Sequence, residues 1–177
     1  MDYFEVSILI LLQAKEMLRT KIQKIIYFAS QLGITKDTFA PHYYGPYSKE
    51  IAETMESLVS SGFIREDVVP FQEGIGYLYS LTSDGKLVAH EVTKKYSAGE
   101  CAKLSEIVDA CKDAPPLLLS LAAKVHFILK QKRIPMTLEQ IREHAKGLHW
   151  QISSEQINIA CRLLEKLGFV EREVNTS

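Results

Sequence analysis

Apolar residues recur at three- and four-residue intervals through most of the chain, the spacing that lines one face of an α-helix. Over residues 3–17 the stripe is Phe4, Ile8, Leu11 and Leu12, widened by Leu9 and Ile10, and Leu18-Arg19 reads as a joint. Thr20, with Gln23 three positions on, has the form of a capping box. It opens a second helix with Ile22, Ile25, Ile26, Ala29 and Leu32 turned inward and Arg19, Lys21 and Lys24 on the opposite face. Gly33 stands where a left-handed residue closes a helix. The run His42-Tyr43-Tyr44-Gly45-Pro46-Tyr47-Ser48 is the most aromatic part of the chain. In it Gly45 permits a tight turn, and Pro46 suits a first helical position, where its missing N–H costs nothing. A third helix follows with Ile51, Met55 and Leu58 inward, and it ends at Gly62 before Phe63-Ile64 re-enters the core.

The period then shortens to two. Residues 65–70 and 76–80 read as strands joined by residues 71–75, a hairpin of the size of a wing. Thr82 caps a further helix bearing Leu87, Val88 and Val92, and residues 100–112 carry Leu104, Ile107, Val108 and Cys111 at helical spacing. That last stripe fits either a subunit interface or packing between two halves of the chain. Asp113-Ala114-Pro115-Pro116 marks a boundary, followed by a helix over 117–133. Thr137 with Gln140 and Ser153 with Gln156 form two further capping boxes. Their helices carry Ile141, Ala145 and Leu148, then Ile157, Cys161 and Leu164, and the second runs into Gly168-Phe169-Val170. Placing Gly62 on Gly168 aligns Ser48 with Ser154, Ile51 with Ile157, Leu58 with Leu164 and Phe63 with Phe169.

This repeat predicts a mainly α fold of tandem winged-helix (helix-turn-helix) units, with a small β-hairpin wing in the first. The units are 1–97 and 115–177, connected by an amphipathic helix over 98–114. The second has only residues 171–177 left for a wing.

Net charge is −1, with 10 Lys/Arg against 12 Asp/Glu up to Ser97 and 11 against 10 beyond it. That is a weak footprint for non-specific DNA binding, which draws on phosphate neutralisation. A local basic face is still present, because no acidic residue occurs from Pro115 to Leu138. Cys101, Cys111 and Cys161 are odd in number and widely spaced, arguing against a disulfide framework or a zinc site. No apolar run approaches the roughly 20 residues of a membrane span, and the N-terminus lacks the features of a signal peptide. The expected location is cytoplasmic, with no membrane partner.

Two blocks resemble the YwgA-like family and, more distantly, the Panacea domain of SocA-type antitoxins. They are Arg19-Thr20-Lys21-Ile22-Gln23-Lys24-Ile25-Ile26-Tyr27-Phe28 and Tyr43-Tyr44-Gly45-Pro46-Tyr47-Ser48-Lys49-Glu50-Ile51. The likeness is dense over about a quarter of the chain and looser through Leu81, and the tract from Pro115 onward carries none. It implies a helical winged module and, through the Panacea relatives, a role toward a partner protein. It brings no catalytic residues.

The residues themselves offer two binding surfaces. Tyr43, Tyr44 and Tyr47 flank a helix N-terminus whose free N–H groups can receive a phosphate, or their rings pack the turn against the core. The outward face of the third helix, with Lys49, Glu50, Glu53 and Glu56, is acidic, a poor groove reader and a candidate partner surface together with the tyrosines. In the second unit Gln156 and Asn158 can pair with adenine and Arg162 with guanine. Ser153 stands at the start of that helix, and Lys124, Lys130, Lys132 and Arg133, with His126 among them, form a basic run for phosphates.

The expected function is therefore non-enzymatic binding. The first candidate partner is double-stranded DNA, in a transcription-associated and dimeric protein; the alternative is a partner protein, with the chain an antitoxin-like interaction module. His144 and His149 do not share a helix face, so no metal is expected. No phosphate-cradling loop, dinucleotide fingerprint or nucleophile elbow occurs, and no cofactor or catalytic residue is expected.

Overall fold

A computed structural model describes residues 1–72 and 74–171. Eight helices and three strands succeed one another among them: α1 (Tyr3–Ala14), β1 (Glu16–Leu18), α2 (Arg19–Gln31), α3 (Lys49–Ser60), β2 (Ile64–Phe71), β3 (Gly74–Leu81), α4 (Ser83–Lys95), α5 (Ala98–Cys111), α6 (Pro116–Lys132), α7 (Leu138–Gly147) and α8 (Ser154–Lys166). The protein is mainly helical, with one small antiparallel sheet in the order β1-β3-β2.

β1 falls inside what the hydrophobic period predicts as helix. Lys15 takes a positive φ of 63°, α1 stops, and the chain lies along β3 with Met17 opposite Tyr79. Met17 is buried. An apolar residue three positions past Ala14 satisfies the helical period and an inward strand position equally well, so the stripe could not separate the two. The expected hairpin is present, pairing from Ile64 with Leu81 to Phe71 with Gly74.

α2 is central. Every residue from Ile22 to Ser30 is buried, and the helix touches α1, α5, α6 and the sheet. Lys24 therefore lies inside rather than on an outer face, whereas Leu32 is exposed. The helix begins at Arg19 with no side-chain cap, so Thr20 is within it and Gln23 is free for other use.

α3 also starts later than expected, at Lys49 behind Ser48, so Pro46 belongs to the preceding turn. The capping boxes at Thr137 and Ser153 form as predicted, as does the Thr82 cap. Gly85, in the first turn of α4, is wedged against the exit of α3: a Cβ there would stand 1.9 Å from the Phe63 carbonyl oxygen. Leu87 faces solvent, and Ala89 and Val92 do the packing.

The apolar stripe of α5 is buried against α1 and α2, so it is already occupied within the chain. α6 packs on α2 and α8, and buried residues from all three expected segments belong to one continuous core. The repeat is visible at the helix exits. Gly62 and Gly168 both have φ of 74°, and Phe63 N–H and Phe169 N–H close onto the carbonyls of Leu58 and Leu164 at 3.0 and 2.9 Å. The helices before them close alike: Ile34 onto Ala29 past Gly33, and Trp150 onto Ala145 past His149. Phe169 stacks on Phe28 with ring centroids 5.5 Å apart. Beyond Glu171 the expected second wing lies outside the described residues. Among the described residues no helix is long and apolar enough to cross a membrane.

One buried ionic contact ties the N-terminal helix to α4. Glu5 is 6% exposed and accepts from Lys95 Nζ, Tyr96 Oη and the Asp2 amide. Burial alone would raise its pKa, but these three donors outweigh burial and hold it at about 2. The folded value lies below that of an unfolded Glu, so the stabilisation is complete above about pH 4.3 and is lost as pH falls toward about 2. The stability advantage of wild type over Glu5→Gln, measured by urea unfolding, is therefore expected to be constant above about pH 5 and to shrink steadily below it. An advantage independent of pH down to 3 would show that the carboxylate is not the source.

Candidate functional site

Because α2 is buried on all sides, its polar side chains must find partners indoors. Gln23 makes two bonds to one residue: its Nε2 donates to the Ser48 carbonyl at 2.9 Å, and its Oε1 accepts from the Ser48 N–H at 3.1 Å. Lys24 is 2% exposed and donates to the Pro46 carbonyl at 2.6 Å. Tyr27 Oη meets His126 Nδ1 at 2.8 Å. The first two contacts pin the turn leading into α3, which has its own frame: Ala40 and Tyr47 exchange backbone bonds of 3.0 and 2.9 Å, and His42 and Gly45 exchange bonds of 3.1 and 2.9 Å.

The second half of the chain grips the same turn from behind. Trp150 Nε1 donates to the His42 carbonyl at 2.7 Å. Gly45, at φ 95°, rests on α6, where a Cβ would stand 3.1 Å from Lys124 Cγ and 3.3 Å from the Ser120 carbonyl oxygen. Glycine is thus required twice here, for its left-handed backbone and for the approach of α6. Lys124 is half-buried, with its ammonium 5.6 Å from the centre of the Trp150 ring.

Two clefts open beside this turn and share a wall of Tyr43, Tyr44 and Gln72. The first, about 730 Å³, lies between the start of α2, the turn and the tip of the hairpin. α2 contributes Arg19, Thr20, Gln23 and Lys24, while Tyr47, Phe71 and Tyr77 supply rings. The Arg19 guanidinium sits 4.2 Å from the centre of the Tyr77 ring. The second, about 500 Å³, is floored by α6 and the connection into α8, with Lys124, His149, Trp150 and Gln156 around it. Among the described residues lining either cleft there is no carboxylate. Burial, with the Lys124 charge adding to it, brings the Lys24 pKa down to about 7. Burial also lowers that of Lys124.

Two of the tyrosines expected to meet a partner, Tyr43 and Tyr44, and two residues expected to meet DNA, Lys124 and Gln156, therefore line the second cleft, while Tyr47 lines the first. Tyr43 is 73% exposed, and Tyr44 and Tyr47 are half-buried. The remaining candidates lie apart from both clefts. Ser153 and Gln156 bond to each other in the cap of α8, through Gln156 N–H to Ser153 Oγ at 3.1 Å and Ser153 N–H to Gln156 Oε1 at 3.0 Å. Asn158 is half-exposed, and Arg162 is exposed farther along α8. Lys130 is ion-paired with Asp37, and Lys132 and Arg133 are exposed at the end of α6, about 13 Å along the helix from Lys124. His126 is buried, and burial followed by the Lys130 charge depresses its pKa to about 4, so it adds no charge to the run at neutral pH. On α3, Lys49 pairs with Glu53 at 3.1 Å, and Lys36 pairs with Glu50, so much of the acidic face is already neutralised.

Arg19, Lys21 and Lys24 do not form an outward cluster: Lys21 donates to the Lys112 carbonyl, and the other two line the first cleft. Trp150 carries no expectation from the sequence, whereas Gln23 is expected in a cap with Thr20 and Lys24 on an outer face, and the structure brings both to the 40–48 turn instead. A lone Trp after a helix exit, and a Gln-Lys pair inside an isoleucine-rich helix, were the available signals. Among the described residues no three His, Cys, Asp or Glu side chains come together to hold a metal ion.

No protein-family model matches the chain. Over 70 residues it is 39% identical to "Uncharacterized protein YwgA" of Bacillus subtilis (strain 168), a stretch covering 38% of this chain and 41% of that protein. The similarity supports a YwgA-like relationship over that stretch, and the chain spans about two fifths of the length of this relative.

The two blocks that resemble the YwgA-like family are docked on one another through Gln23–Ser48 and Lys24–Pro46. Gln23→Leu, nearly the same in volume, strands both backbone groups of Ser48 in the interior. It is expected to lower stability by about 2–4 kcal/mol in urea titration. A change within error would mean that water replaces the glutamine.

Proposed function

We propose that the protein is a non-enzymatic binding module of winged-helix type, transcription-associated, that docks on double-stranded DNA through its second half. The observation that carries this reading is the cleft beside the start of α8, which has no carboxylate among the described residues that line it and in which Lys124 and His149 stand among Tyr43, Tyr44 and Trp150. A phosphate backbone lying there is met by a cation, by hydroxyl and amide donors, and by aromatic rings. α8 then points its polar residues at base edges. Gln156 spends only its Oε1 on the cap, so its Nε2 is free to donate, and Arg162 is exposed one and a half turns on. The order of α2, α3, β2 and β3, and the repeated helix exits at Gly62 and Gly168, support reading the two halves as tandem units of the winged plan.

A second reading has its own observation. Tyr43 is 73% exposed and set edge-on to Tyr44 with ring centroids 4.8 Å apart, an aromatic projection of the kind that anchors protein interfaces. The more distant resemblance to Panacea domains supports a partner protein seated there.

Fluorescence anisotropy with a labelled random-sequence duplex, titrated at several salt concentrations, separates the two. Binding is expected at low salt, weakening with added salt at a slope of about two to three phosphates. Lys124→Met combined with Arg162→Ala is expected to weaken it about tenfold or more, whereas Lys49→Gln, whose lysine is paired with Glu53, leaves it unchanged. No binding at low salt removes the DNA reading and leaves the partner-protein reading.

A further inference from the structure

We propose that the first cleft is a binding site for a small ligand of the nucleotide class, with a phosphate held by Lys24 and Arg19 and a flat ring held among Tyr44, Tyr47 and Tyr77. The geometry is that of a ligand pocket: about 730 Å³, inside the usual range of about 300–1,000 Å³, with a few polar groups converging among aromatic walls. The central feature is Lys24. Its ammonium has three donors, the residue is 2% exposed, and among the described residues it makes one bond, to the Pro46 carbonyl. Among the described residues no carboxylate bonds to it or lines the cleft, and the charge acting on it is that of a second cation, Lys124. A buried ammonium without a counter-charge is costly, and an anion in this cleft removes the cost.

The neighbouring groups favour phosphate over a lone carboxylate. Arg19 offers a planar fork suited to two phosphate oxygens, and Thr20 adds a hydroxyl. The first turn of α2, uncapped by any side chain, contributes its positive end to the same space. The rings supply what the rest of a nucleotide needs, since faces of Tyr and Phe stack on a planar base regardless of its identity. The Arg19 guanidinium already lies over Tyr77, so the stack and the phosphate grip are continuous.

The inference concerns a different cleft from the one assigned to DNA and shares with it only the wall of Tyr43, Tyr44 and Gln72. Isothermal titration calorimetry on the full chain tests it with adenosine monophosphate, adenosine and inorganic phosphate as probes. The monophosphate is expected to bind saturably and at least tenfold more tightly than either adenosine or inorganic phosphate. Lys24→Met and Arg19→Gln are each expected to weaken it tenfold or more. The second variant is at the rim of the cleft, so it reads out the site even if loss of Lys24 disturbs the turn. Failure of the monophosphate to bind, adenosine binding just as tightly, or undiminished affinity in Arg19→Gln overturns the proposal. The same preparation assayed for duplex binding keeps the two readings apart. Nucleotide binding by a chain that ignores duplex DNA upholds this site and removes the other, and duplex binding without nucleotide binding does the reverse.

Discussion

The structure depends on one constraint: α2 is buried on every side, yet it carries Gln23, Lys24, Tyr27 and Ser30. A polar group in such a helix costs stability unless something reaches in to satisfy it. Gln23 is satisfied by the backbone of the 40–48 turn, Lys24 spends one of its three donors there, Tyr27 is met by His126 of α6, and Ser30 by the Tyr27 carbonyl. The turn is consequently not a loose connection. It is a plug whose backbone meets Gln23 and Lys24 of the central helix, and Trp150 and Gly45 fasten its other side to the second half of the chain. Fold and candidate site have the same origin here, because the side chains left at the rim of the plug line both clefts.

Charge is distributed by the same logic. Of the basic residues that look available in the sequence, Lys24 is enclosed, Lys21 caps the end of α5, Lys130 answers Asp37 and Lys36 answers Glu50. Exposed pairs of this kind contribute little to stability, but they remove cations and carboxylates from competition for a ligand. The positive character that persists is local: Arg19 and Lys24 in one cleft, Lys124 in the next. A net charge of −1 therefore coexists with two adjoining clefts whose described lining residues include no carboxylate. On the readings proposed, affinity depends on that enclosure rather than on overall charge, since a low-dielectric wall strengthens each contact made inside it.

The sequence was most legible where a local rule sufficed. The boxes at Thr137 and Ser153, the stripe Ile51-Met55-Leu58, the hairpin, the left-handed exit at Gly33 and the helix ends at Gly62 and Gly168 all formed as read. The caps and exits involve residues within about five positions, and the stripe and the hairpin lie within one helix and two successive strands, so the chain needs no distant partner to specify them. The readings that failed involve competition. Thr20-Gln23 has the spacing of a cap, but Gln23 instead satisfies both backbone groups of Ser48, which is buried. Pro46 could open a helix, but its carbonyl is taken by Lys24, and the helix waits for Lys49.

By itself, then, the sequence determined a mainly helical chain, several of its helix caps and exits, its hairpin and the likeness of its two helix-exit motifs, all properties of short segments. It also placed Tyr43, Tyr44 and Tyr47 at a structured turn. Only the tertiary structure decided that this turn plugs α2, that Lys24 is inside, that the α5 stripe is spent within the chain, and that Lys124 and Gln156 share a cleft with Tyr43 and Tyr44 while Lys132 and Arg133 do not. The reason is physical: a side chain's position along a helix says which face it occupies, whereas burial and partners depend on what packs against that face. For α2 the packing elements come from residues more than twenty to a hundred positions away.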